Sequence, residues 1–252
     1  MDGLLQKLRE EQPLVHCMTN IVVANFQANG LLALGASPVM ADAVEEAAEI
    51  ASVSSCTVLN IGTLKQDTVK AMLLAGKSAN AHGKPVILDP VGAGATAFRK
   101  ASVLEILDEV VLTLIRCNAG ELAAIAGVKW QSKGVDAGQG DVDVKALAEE
   151  VAVRYHCIVA VTGAVDIVTD GNKTISITGG HPLLSKITGA GCLLSAVAGA
   201  FLAVEHENEL EAVATALTFY KKVGELAAEK AAGPGDFAVQ LLNALYLGRL
   251  TT

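Results

Sequence analysis

The segment Lys186-Ile-Thr-Gly-Ala-Gly-Cys192 is a glycine-rich turn that runs directly into an apolar stretch. Small residues at Gly189 and Gly191 let successive backbone N–H groups point into one concavity, and a helix N-terminus adds about half a positive charge there. An anion fits such a turn. The spacing is not G-x-x-x-x-G-K-[ST], and Lys186 precedes the glycines, so this is not a P-loop. The same glycines would also serve a tight helix entry with no ligand. Cys192 falls in the first turn of that helix, where the dipole is expected to lower a thiol pKa from about 8.5 and make the thiolate available as base or nucleophile. A small buried hydrophobe is the alternative reading of the same cysteine.

Further polar residues stand at the ends of apolar runs. Val86-Ile-Leu-Asp-Pro-Val-Gly-Ala-Gly94 puts Asp89 at the carboxyl end of a strand, where open α/β sheets bind ligands. Its oxygens suit Mg²⁺, directly or through water, or an Asx turn. Leu114-Ile-Arg-Cys-Asn-Ala-Gly-Glu121 brings a cation and a carboxylate to the same edge. Arg116 presents the planar fork that suits a phosphate oxygen, while Asn118 and Glu121 have the spacing of a capping box. Thr162, followed by Gly163, offers a hydroxyl at another strand end. His16–Asn25 and Gly35–Ala41, which include Asn25 and Met40, set polar groups beside apolar ones, as a pocket for a mostly apolar ring would.

These residues need a sheet to bring them together, and the pattern supplies one. Short apolar runs at Leu14–Cys17, Pro38–Met40, Thr57–Ile61, Val86–Leu88, Val111–Ile115 and Ile158–Val161 read as strands buried on both faces. They alternate with helical segments at Val22–Leu34, Val44–Val53, Asp67–Ala81, Ala97–Val110, Ala119–Ala126 and Val144–Tyr155, the signature of a parallel sheet covered by helices. Asp170-Gly171-Asn172 between Asp166–Thr169 and Thr174–Thr178 signals a hairpin, hence an antiparallel edge. From Ala190 onward the chain reads as helices: Cys192–Val204, Glu209–Lys230 and Phe237–Leu247. The polar stretch Gln131–Asp143 is expected to be a surface loop within one domain spanning residues 1–252.

Composition narrows the classes. The 252 residues are 52% hydrophobic with 24 Gly and only 4% aromatic, which excludes disorder and implies a core of Ala, Val, Leu and Ile. The net charge of −8, with no basic run, argues against nucleic acid and anionic membranes as partners. Ile187–Val204 is uncharged over 18 residues, but its first residues form a turn, so it reads as a core helix and not a membrane span. Five widely spaced cysteines without a C-x-x-C pair fit a reducing compartment, and MDGLLQKLREEQP lacks the apolar stretch of a signal peptide. The expected location is the cytoplasm.

Together the segments resemble the hydroxyethylthiazole kinase family of thiamine salvage, which has the ribokinase-like fold. The resemblance rests on His16–Asn20 with Asn25, Asn29–Ala33 running into Gly35–Ala41, Asn60–Gly62, Leu88–Gly94, Arg116–Glu121, Lys133–Ala137, Ala160–Gly163 and Thr188–Cys192. It implies MgATP-dependent phosphorylation of the primary alcohol of 4-methyl-5-(2-hydroxyethyl)thiazole. Met40 then matches a substrate contact, Gly189 the glycine near the reacting hydroxyl, and Asn25 a lining of the thiazole pocket. Arg116 and Thr162 match ATP contacts, Gly191 belongs to the anion-binding turn, and Asp89 and Glu121 match the acidic groups near phosphates and magnesium. Cys192 stands where related sugar kinases carry an aspartate base. The family also implies a homotrimer with the pocket between subunits. Cys117 and Gly120 depart from the Gly and Ser common after the arginine, and Ala190 replaces a frequent Thr.

The sequence is also compatible with three rival functions. A related kinase could act on another small alcohol, of hydroxymethylpyrimidine or pyridoxal type. A thiol hydrolase or acyltransferase would need a base beside Cys192, and none of the five histidines has a local signal for that task. A nucleotide-binding module without turnover is the third.

Overall fold

The computed structural model describes residues 2–129 and 143–249. Its strands are Leu14–Met18 (β1), Ser37–Val39 (β2), Cys56–Asn60 (β3), Val86–Asp89 (β4), Leu114–Asn118 (β5), Ile158–Thr162 (β6), Asp166–Thr169 (β7) and Thr174–Ile177 (β8). They form one sheet ordered β2-β1-β3-β4-β5-β6-β7-β8. Pairing is parallel as far as β6, and β7 and β8 are antiparallel, as the hairpin signal requires.

The helices are Asp2–Glu11 (α1), Ala24–Leu34 (α2), Ala47–Val53 (α3), Gln66–Ala81 (α4), Ala97–Glu109 (α5), Ala119–Ala126 (α6), Val144–Tyr155 (α7), Ala190–Leu202 (α8), Glu209–Lys230 (α9) and Pro234–Leu247 (α10). Because side chains alternate across a strand, each central strand feeds two cores. Val58, Ile87, Leu114 and Ala160 pack with Leu31 of α2, Leu193 of α8, Phe219 of α9 and Leu241 of α10. Their neighbours Leu59, Leu88, Ile115 and Val161 pack with Ala51 of α3, Met72 of α4, Ile106 of α5, Leu122 of α6 and Leu147 of α7. The two-sided burial explains why these strands are mostly apolar, with Asn60, Asp89 and Thr162 at their carboxyl ends.

Several boundaries differ from expectation, and one matters. The strand expected at Val111–Ile115 runs instead over Leu114–Asn118. Val111 is 73% exposed, and the Asn80 side chain pairs with both its N–H and its carbonyl, so the sheet begins beyond it. The shift places Arg116 inside the strand and so orients it by the pleat. Helix α1 is an additional element; Leu5 and Leu8 bury its apolar side under the core. The stretch expected as a loop at 131–143 lies outside the described residues except Asp143, whose carboxylate caps α7. Ile187–Val204 largely becomes α8, nearly every residue of which is buried. No helix among the described residues is long and apolar enough to cross a membrane.

Candidate active site

Strand parity assembles the site. Asn60, Asp89, Arg116 and Thr162 each lie two residues beyond a residue of the α8-side core, namely Val58, Ile87, Leu114 and Ala160, and therefore face the same way. Asn60 pairs with Asp89 in register, and Arg116 with Ala160. The four side chains thus stand side by side at the carboxyl edge, beneath the start of α8.

Asp89 is completely buried. Its Oδ2 accepts hydrogen bonds from Asn60 Nδ2 (2.7 Å) and Ser195 Oγ (2.8 Å). Its Oδ1 has no hydrogen-bond partner and faces Arg116 Nη1 at 3.5 Å. Burial pushes the Asp89 carboxyl above the usual carboxylate range, opposed by Arg116, Ser195 and Asn60. Burial would lower Arg116 as well, but Asp89 and Glu121 outweigh it and hold the guanidinium protonated. Arg116 Nη2 donates to Thr162 Oγ1 (2.7 Å), so both ends of its fork are fixed.

The glycine turn closes over this pair. Gly189 is the N-cap of α8 at φ 94°, a left-handed conformation that favours glycine, and a Cβ there would lie 2.8 Å from Val23. A Cβ on Gly191 would come within 2.9 Å of Arg116 Nη1. The first amides of α8 have no intrahelical carbonyl to bond and are free for an anion beside the guanidinium. Tyr220 Oη donates to the carbonyl of Ala190 (2.7 Å) and steadies the turn from behind.

Cys192 differs from expectation in protonation. Its thiol is raised to about 11, first by burial and then by the Asp89 charge, against partial relief from Asn60, Arg116 and Asn20. Half a helix-dipole charge does not overcome that desolvation, so the expected low-pKa thiolate is replaced by a neutral thiol. Asn20 Nδ2 joins Asn60 Oδ1 (2.9 Å) to Cys192 Sγ (3.6 Å), and Gln27 donates to the Cys192 carbonyl (2.8 Å).

Glu121 does form the capping box: Asn118 Oδ1 accepts from the Glu121 N–H, and Glu121 Oε2 accepts from the Asn118 N–H. Its other oxygen accepts from the Gly92 N–H (2.9 Å), which ties the β4 loop to α6. Burial raises this carboxyl too, against the two backbone donors and Arg116. Arg99 braces the same edge by donating to the carbonyls of Ile61, Gly62 and Val91. Among the described residues no group of three or more His, Cys, Asp or Glu side chains forms a metal cage. The oxygens present, buried Asp89 Oδ1 and the partly exposed Glu121, fit a magnesium ion that keeps waters and takes phosphate oxygens.

On the other side of the glycine turn the neighbours are apolar. Val23 and Phe26 approach Gly189, and Met40 is half-buried against the α8-side core. Asn25 is exposed at the start of α2, where its oxygen accepts from Asn29 (3.1 Å), and it does not join the charged cluster. Asn20, Asn60, Ser195 and Tyr220 belong to the network although composition and motif spacing gave them no role.

The mostly parallel eight-stranded sheet with one antiparallel edge, covered by helices, is a ribokinase-like fold. A ribokinase-like superfamily protein from Enterococcus faecalis shares the fold at TM-score 0.66 and 12% identity, over 97% of this chain and 94% of that one. At a closer level, the model of the hydroxyethylthiazole kinase family matches residues 5–249, and the chain belongs to that family. A hydroxyethylthiazole kinase of Haemophilus influenzae is 56% identical over 242 residues, covering 96% of this chain and 92% of the relative. The structure of a hydroxyethylthiazole kinase protein from Pyrococcus horikoshii matches at TM-score 0.89 and 43% identity, over 98% of this chain and 93% of that one.

Proposed function

We propose that this protein transfers the terminal phosphoryl group of ATP to the primary alcohol of 4-methyl-5-(2-hydroxyethyl)thiazole, in thiamine salvage. The carrying observation is that Asp89, Arg116 and Gly191, distant in sequence, meet at one strand edge under the start of α8. Arg116 and Thr162 hold phosphate oxygens, and the Gly189–Cys192 amides receive the charge that develops on the moving group. Glu121, with Asp89 behind it, would hold Mg²⁺ together with waters and phosphate oxygens. When bound, that ion neutralises charge between the phosphates.

Phosphoryl transfer passes through a loose transition state that makes little demand for early deprotonation. Cys192, a neutral thiol at pH 7, accordingly aligns the hydroxyl and is not a nucleophile. A thiol hydrolase is disfavoured on the same ground, since the Asn20 and Asn60 amides and the Asp89 carboxyl, not an imidazole, lie around the sulfur. The thiazole ring would lie against Met40 and Val23, with Asn25 at the rim. Exposure of Ile21, Val22 and Asn25 beside this pocket supports a homotrimer whose second subunit completes it. Pairing of β5 with β6 across the 131–143 stretch supports one domain over residues 1–252. Five free cysteines support a cytoplasmic setting.

The test is incubation with MgATP and the thiazole alcohol, alongside hydroxymethylpyrimidine and pyridoxal, with mass detection of the phosphate ester. The thiazole ester should form with kcat/KM at least about tenfold above either other alcohol. Preferential phosphorylation of one of the others, or nucleotide binding with no ester, would overturn the assignment.

A further inference from the structure

Asp166 and Lys221 form a buried ion pair that the chemistry above does not use. Lys221 Nζ lies 3.1 Å from Asp166 Oδ1, and the two side chains are only 10% and 4% exposed. A buried pair of this kind contributes little net stability, because desolvating both charges offsets their attraction. Its geometry indicates another role. Asp166 Oδ1 also accepts from the Gly163 N–H (2.9 Å), immediately after Thr162, which anchors Arg116. Lys221 Nζ also donates to the Gly179 carbonyl (3.2 Å). One turn further along α9, Glu225 Oε1 accepts from the Gly180 N–H (2.7 Å).

Gly179 and Gly180 have φ of 96° and 87°, and they open the segment that passes through Pro182–Lys186 to Gly189. One helix, α9, thereby touches three backbone points: Gly179–Gly180 through Lys221 and Glu225, the Thr162–Gly163 turn through the ion pair, and Ala190 through Tyr220. We propose that the Asp166–Lys221 pair positions the nucleotide side of the site, fixing the Thr162–Gly163 turn relative to the segment that leads into the phosphate-binding glycines. The inference rests on the reading that the phosphate donor binds between those segments. Charge serves this purpose where an apolar contact would not, because each partner holds a backbone group as well as the other side chain.

The experiment compares wild type with Asp166→Leu/Lys221→Met, which removes both charges together and leaves no uncompensated buried ion. Asp166→Asn/Lys221→Met restores an acceptor for the Gly163 N–H, and Glu225→Ala perturbs only the exposed end of the clamp. Melting temperature, KM for ATP, KM for the thiazole alcohol and kcat are measured for each. The inference predicts that the Leu/Met variant raises KM for ATP by about ten- to a hundredfold, the loss expected of a misplacement near 1 Å. KM for the alcohol should stay within about twofold, and the Asn/Met variant should recover part of the loss. Glu225→Ala should give a smaller change in the same direction, and it decides the matter if both double variants fail to fold. Unchanged KM for ATP in every folded variant, or equal changes in both KM values, overturns the inference. Absence of ester from wild type would instead overturn the functional reading, a separate result.

Discussion

At Asp89 a fully buried carboxylate has two saturating donors on one oxygen and a guanidinium opposite the other. That division leaves Oδ1 facing Arg116 while Asn60 and Ser195 fix the plane of the group. Replacing Asp89 by Asn removes the charge but preserves the shape, and kcat should fall by about 10²- to 10³-fold, as for loss of one preorganised electrostatic group. Steady-state kinetics on folded protein check this. The neighbouring thiol makes a pH prediction. With its pKa pushed up to about 11, Cys192 is overwhelmingly a thiol at pH 8. Burial disfavours the charged form, so thiolate appears only as pH rises toward that value. Iodoacetamide labelling of Cys192, followed by peptide mass spectrometry, should be slow at pH 7 and rise about tenfold per pH unit to pH 10. A labelling midpoint below pH 8 would contradict the assignment. Cys192→Ala should lower kcat by about ten- to a hundredfold without abolishing it. Cys192→Asp should retain substantial turnover or exceed wild type, and complete inactivity of both folded variants would remove any assisting role for this position.

Helix α8 shows how one element carries function at its start and packing along its length. Gly191 leaves room for Arg116, and Gly30 of α2 leaves room for Leu193, yet the two vacancies have different consequences. Gly191→Ala should push the guanidinium away from Thr162 and reduce kcat/KM by about ten- to a hundredfold with little change in melting temperature. Gly30→Ala would bring a Cβ to 2.3 Å from Leu193 Cδ1. It should cost about 1–3 kcal/mol of stability while leaving kcat near wild type at low temperature. Thermal unfolding and kinetics on both variants separate the two outcomes. The sheet was legible at this scale because strands buried on both faces are mostly apolar, and Asp89 ends one such run. The Val111–Ile115 boundary misled because an apolar run does not reveal that Asn80 holds Val111 outside the sheet. Asn20, Asn60 and Ser195 were illegible as a network for a related reason. Asn60 and Ser195 are single polar residues in apolar runs, and only the register of β3 with β4 and the seating of α8 show that they meet at one oxygen of Asp89.

For the molecule as a whole, a net charge of −8 means that anionic phosphates must be held by local groups against the overall field. On the proposed reading Arg116 and the α8 amides supply that locally, from residues of one chain. The proposed thiazole side is more exposed. Ile21 and Val22, adjoining the Val23 that touches Gly189, are 78% and 65% exposed, and Asn25 next to them is exposed as well. An apolar ring seated there would remain partly in water unless another surface covers it, and burial of apolar area is its main source of affinity. The proposal that a second copy covers Ile21 and Val22 makes a direct prediction. Ile21→Asp places a charge in that contact. In sedimentation equilibrium the wild type should run as three copies and Ile21→Asp as one. KM for the thiazole alcohol should rise at least about tenfold, with KM for ATP within about twofold, because the phosphate side lies inside a single chain. A wild-type monomer at micromolar concentration, or an Ile21→Asp variant that stays trimeric with unchanged kinetics, would show that these residues do not complete the pocket between subunits.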